Sequence, residues 1–125
     1  MPCDYTIDPV DGILRLRATG ACTYACWSAT LTRATQDPAF TAGMPVFVDV
    51  REGTALPAPG KVERIARTWE VTFPRSRVAL VALPGSAAYG IARQVGVHAK
   101  DRVAAFDDIA EAEAWLQPPR SGPDV

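Results

Sequence analysis

The residue types able to do chemistry gather in a few places. Asp49 closes the apolar run Pro45-Val46-Phe47-Val48-Asp49-Val50 and is followed by Arg51, Glu52 and Thr54. A carboxylate at the carboxyl end of a buried strand stands where open α/β sheets place ligands and modification sites. Ser86 opens a segment just after the next apolar run, where the unpaired N–H groups of a helix start favour an anion. Tyr89 and Arg93 follow at i,i+4 spacing, off the apolar stripe of that segment. Asp49, Arg51, Thr54, Ser86, Tyr89 and Arg93 together outline one shallow ligand- or partner-binding rim. A plainer account also fits them: Asp49 and Ser86 cap turns, while Tyr89 and Arg93 pack over a sheet edge.

Other reactive groups support less. His98 is the single histidine and falls in a polar connection, Gly96–Arg102, with no nucleophile on a sharp elbow nearby. Cys22 and Cys26 have Cys-x3-Cys spacing, which is not that of structural zinc sites, and the Cys-x-x-Cys of thioredoxin-like redox proteins is missing. Cys26 points off the Tyr24/Trp27/Leu31 stripe, as a redox-sensitive or dimer-contacting thiol would. The reading preferred for it is the plainer one, a small residue tolerated under a neighbouring loop. Acid–base catalysis would fall to Asp49 or Glu52, and the sequence gives neither the burial nor the charged partner that moves a carboxyl pKa. A receiver-type aspartate switch needs an acidic pair after its first strand to hold magnesium. The first two strands here end in Asp8-Pro9 and Thr19-Gly20. The expectation is a non-enzymatic protein with no metal and no cofactor.

These groups must be positioned by the periodic segments. Tyr5–Asp8 and Ile13–Ala18 alternate, with Leu14, Leu16 and Ala18 on one face and Arg15 and Arg17 on the other. Pro9-Val10-Asp11-Gly12 between them has turn chemistry, so the chain opens as an antiparallel hairpin. Thr23–Gln36 changes to helical period through Tyr24, Trp27, Leu31 and Ala34. Asp37-Pro38 closes it, because the residue before proline resists helical dihedrals. Pro45–Val50 and Arg77–Leu83 read as strands covered on both faces. Between them Arg51–Gly60 is irregular, and Val62, Ile65, Ala66, Trp69 and Phe73 mark an amphipathic helix with Glu63 and Arg67 as an i,i+4 pair. Ser86 is placed as the N-cap of a helix burying Ala88, Ile91, Ala92 and Val95 and stopping near Gly96. A short strand, Val103–Phe106, precedes a helix with a capping box at Asp108 and Glu111. The order β-β-α-β-α-β-α-β-α predicts a single-domain α/β protein with a five-stranded mixed sheet flanked by about four helices.

Composition bounds the rest. The chain has 125 residues, 48% hydrophobic and 22% charged, enough for one core without staples. A net charge of −1 with no basic stripe argues against nucleic-acid binding. Nothing is long and apolar enough to span a membrane, and no signal peptide opens the chain. Three cysteines in such a chain imply reduced thiols and a cytoplasmic location.

Several segments in order carry a resemblance. They are Gly20, Asp37-Pro38-Ala39-Phe40, Pro45–Arg51, Arg77-Val78-Ala79-Leu80-Val81, Ala88-Tyr89-Gly90-Ile91-Ala92-Arg93, Phe106-Asp107-Asp108 and Ala114-Trp115-Leu116. Through them the chain resembles uncharacterised bacterial STAS-like proteins, related in fold to anti-sigma-factor antagonists and grouped with CRAL-TRIO-type lipid-binding domains. The resemblance implies a STAS-like domain, placed over 1–117, with a non-enzymatic regulatory or protein-interaction role, while Pro118, Pro119, Gly122 and Pro123 mark 118–125 as a disordered tail. The phosphorylatable serine motif of true antagonists is absent after Asp49, and Thr54 stands in only loosely. The alternative is a carrier of a small ligand, an apolar or anionic metabolite or a lipid. Its walls would be Leu56–Pro59, Trp69, Phe73 and Tyr89. The hairpin's outer face and the Trp27 helix offer a surface for a homodimer.

Overall fold

The computed structural model describes residues 3–10, 12–20, 24–53, 62–73, 75–99 and 102–116. Five strands form one sheet: β1 (Cys3–Asp8), β2 (Ile13–Gly20), β3 (Val46–Gly53), β4 (Val78–Val81) and β5 (Val103–Phe106). Four helices accompany them: α1 (Tyr24–Gln36), α2 (Val62–Thr72), α3 (Ala87–Ala99) and α4 (Ile109–Leu116). Strand order follows chain order, β1-β2-β3-β4-β5, with β1 antiparallel to β2 and every later neighbour parallel. The expected mixed α/β architecture is the one observed.

This order decides where the helices lie. Parallel strands are joined by right-handed crossovers. When each new strand is added on the same side, every crossover helix lands on the same face. α1, α2 and α3 accordingly share one core with Leu14, Leu16, Val46, Val48, Val78, Leu80 and Val103. Aromatic rings carry the packing there: Trp27 meets Trp69 edge-on at 6.5 Å, Trp69 stacks on Phe73 at 5.6 Å, and Phe40 closes on Phe73 at 6.0 Å. The opposite face is covered by α4, whose Ala112 and Leu116 pack on Ile13, Phe47, Ala79 and Val81. Strands β3 and β4 are therefore buried on both faces, as their continuous apolar runs require.

Local chemistry sets the joints. In the hairpin, Asp8 Oδ1 accepts from the Val10 N–H at 2.8 Å, and Gly12 takes the positive φ of 68° that closes the turn. Asp37 accepts from the Ala39 N–H and from the Tyr5 hydroxyl, both at 2.8 Å, tying the end of α1 to β1. Those bonds, the backbone one first, hold the Asp37 carboxyl below its usual range.

Several expectations change. β3 runs on through Arg51 and Glu52 to Gly53, because beyond an irregularity at Arg17/Thr19 it pairs Glu52 with Thr19 and Gly53 with Gly20. β4 is shorter than Arg77–Leu83. α3 continues past Gly96 to Ala99, so His98 belongs to a helix and not to a polar connection. Cys3, expected as a reduced thiol, is disulfide-bonded. Strand pairing sets it opposite Ala18 near the end of β2, a closeness that an odd cysteine count does not contain. No helix is long and apolar enough to cross a membrane among the described residues. The side chains of Tyr24, Val62, Glu63, Ile65, Ala66, Ala88 and His98 lie outside the described residues, as do Cys22, Thr54, Leu56–Pro59 and the tail beyond Leu116.

Candidate functional site

One row of residues crosses the whole sheet near its carboxyl end: Asp4, Arg17, Asp49, Val81 and Phe106 are successive partners from β1 to β5. Paired residues share a face, so the row passes from alternating charge on the hairpin side to apolar under α4. Asp49 is its pivot.

The strand extension that carries Arg51 also turns it back on Asp49. Arg51 donates to Asp49 Oδ1 from its backbone N–H and from Nε, each at 3.0 Å, and to Oδ2 from a terminal nitrogen at 2.8 Å. The guanidinium thus meets the carboxylate with both arms of its fork. The Asp49 side chain is only 13% exposed and that of Arg51 36%. Burial by itself would push the Asp49 carboxyl up. The Arg51 side-chain and backbone hydrogen bonds, with the charges of Arg51 and Arg17, together outweigh it and hold the carboxyl below its ordinary value. The same pairing raises the Arg51 pKa. Beside the pair, Arg17 donates to Glu52 at 2.8 Å in an open ion pair. An aspartate held this way is ionised, engaged by three donors and poorly suited to take a proton.

Ser86 is the N-cap of α3. Its hydroxyl accepts from the Tyr89 N–H at 3.1 Å and donates to the Leu83 carbonyl at 2.7 Å. Gly85, at a φ of 70°, turns the chain into the helix. Tyr89 is half-buried and Arg93 exposed. The structure thus joins Asp49 to Arg51 and Ser86 to Tyr89, each locally, and parallel pairing sets both groups at the carboxyl end of β3 and β4. Ser86 caps as the plainer account had it, while Asp49 forms a clasp. Thr54, the sixth rim residue, lies outside the described residues.

Sequence reasoning overlooked Arg17 as a neighbour of Asp49 and as the partner of Glu52. Arg17 was legible as outward-facing, but its partner depends on register across a parallel crossover. The carrier's walls also change meaning: Trp69 and Phe73 are buried in the main core, and of the three aromatics only Tyr89 stays at the rim.

No family model matches the chain, and no curated protein does. A solved structure does match. It is an uncharacterised protein of the DUF3478 family with a SpoIIAA-like fold, from Shewanella loihica PV-4. The match covers 92% of each chain at a TM-score of 0.61 and 18% identity. At that identity the likeness is one of fold: the chain has a SpoIIAA-like, STAS-like α/β fold.

Proposed function

We propose that this protein is a cytoplasmic, non-enzymatic regulatory or protein-interaction module working through the carboxyl edge of its SpoIIAA-like sheet. The observation that carries the reading is the Asp49–Arg51 clasp. It commits three acceptor positions of the best-placed carboxylate to Arg51 at the end of β3, which makes that group a poor one for acid–base work. The surface offered to a partner is the end of β3 together with the start of α3, where Tyr89 and Arg93 supply the aromatic and guanidinium groups that anchor interfaces. The carrier alternative is weaker because Trp69 and Phe73 hold the core.

The reading is tested by capture from native extract with the wild type and with the Tyr89→Ala/Arg93→Ala double variant. A specific partner is expected to bind the first and to be lost from the second, with unchanged melting temperature. A small-molecule adduct in native mass spectrometry that vanishes in Tyr89→Ala, with no protein captured, would replace this reading with the carrier.

A further inference from the structure

The two margins of the sheet are built differently. β5 ends one margin with four residues, and β1 ends the other with six. Edge strands are commonly kept from pairing by shortness, proline, lysine or a bulge. β5 has shortness. β1 has none of these: it holds unbroken register against β2 from Cys3–Ala18 to Asp8–Ile13. Among the described residues no strand pairs with its outer side. Its core-side residues Tyr5 and Ile7 pack against the main cluster yet stay half-exposed, because the apolar layer stops at this margin. Asp4, Thr6 and Asp8 alternate with them and are exposed.

We propose that β1 pairs antiparallel with β1 of a second copy about a two-fold axis, joining the two sheets into one. The surface is separate from the carboxyl edge discussed above. Paired residues share a face, so the axis must pass beside one residue and its own copy. Centred on Thr6, the pairing sets Asp4 opposite the second copy's Asp8, and symmetry repeats the clash of like charges. Centred on Asp4 or Ile7, it leaves a shorter ladder. Centred on Tyr5, it sets Cys3 opposite Ile7 and Asp4 opposite Thr6, with no like charges opposed. The row across the junction then reads Arg17, Asp4, the second copy's Thr6 and the second copy's Arg15, a carboxylate between two cations, given twice by symmetry. This charge pattern is what selects a copy of the chain as the occupant. On the other face Tyr5 and Ile7 of each copy continue the apolar layer of the next. Tyr5 is already fixed for this, its hydroxyl donating to Asp37 at 2.8 Å and its ring lying 6.0 Å from the Arg33 guanidinium, so pairing costs little ordering there. A ladder this short buries a small area, which places the dimer among weak, concentration-dependent ones.

The experiment is sedimentation of the full chain from micromolar to near-millimolar concentration, for the wild type, Thr6→Asp and Thr6→Lys. The wild type is expected to pass from monomer to dimer over that range. Thr6→Asp faces the second copy's Asp4 at both symmetry-related positions and should weaken the dimer about tenfold, while Thr6→Lys should tighten it several-fold. Within one chain residue 6 stands opposite Arg15, so monomer stability should move the other way, favoured by the aspartate and disfavoured by the lysine. A folding defect therefore cannot imitate the expected ranking. A wild type that stays monomeric throughout, a dimer indifferent to both substitutions, or a dimer weakened by the lysine and tightened by the aspartate would each overturn the proposal.

Discussion

On one face of the sheet three helices bury a continuous apolar layer, with four aromatic rings in chain contact from Trp27 to Phe40. On the other, the eight-residue α4 covers a smaller apolar patch and is fastened at its margins by charge. Arg15 reaches Glu113 at 2.9 Å while lying over the Phe47 ring at 5.2 Å. Arg77 donates to the Trp115 carbonyl at 2.9 Å and lies over its ring at 5.2 Å. Beyond α4, toward the hairpin, the same face presents the charged row that ends at Asp49. The contrast shows a division of labour: one face supplies the fold's free energy, and the other supplies orientation and a surface still open for contact.

Substitutions graded across the two faces can break that contrast. Phe73→Ala removes a ring that touches both Trp69 and Phe40 and should cost about 3–5 kcal/mol in denaturant unfolding. A loss below that of the next variant would refute the ranking. Leu116→Ala, beneath α4, should cost about 2–3 kcal/mol, since a short helix at the margin can settle into the space left behind. Its hydrogen exchange should quicken in α4 before the three-helix face, and uniform quickening would show that the two faces unfold as one.

Asp49→Asn sharpens the comparison further. It should cost about 1–2 kcal/mol at neutral pH, in keeping with the loss of charged hydrogen bonds to a partner left in place. The pH dependence follows from the depressed carboxyl. The clasp contributes fully above about pH 4, the unfolded-state value for aspartate, and its contribution is lost as pH falls through the lower folded value. The wild type should therefore lose more stability than the variant on acidification below that point; parallel acid limbs would count against the clasp. Smallest of all, Glu113→Gln should cost about 0.5 kcal/mol or less, because its pair with Arg15 is a third exposed on both sides and screened by water. Melting curves at low and high salt would resolve it.

The element order was open to reading because its signals are local. Period-two alternation at Ile13–Ala18, the helical spacing through Trp69 and Phe73, and capping chemistry at Ser86 and Asp108 act within a few residues. What escaped depends on pairing across distance. The extension of β3 needs Thr19 and Gly20 as partners, and the neighbourhood of Asp49 needs the β2 register. Gly96 looked like a stop, yet α3 runs through it to Ala99, its Ala92 and Val95 buried in the main core, so packing outweighed glycine's weak helix preference. Cys3 could be joined to another cysteine only once the sheet had set it near the end of β2.

Because each strand docks beside the one made just before it, a chain leaving the ribosome can lengthen its sheet one rung at a time and never has to reserve a slot for a later arrival. The apolar stripe of Ile13, Phe47, Ala79 and Val81 has no such luck: it stays wet until Ile109–Leu116 emerges to roof it. A message that stopped short of Ile109 would yield a nearly complete sheet with a sticky underside, so the final helix is also the step at which the newborn protein becomes safe to crowd.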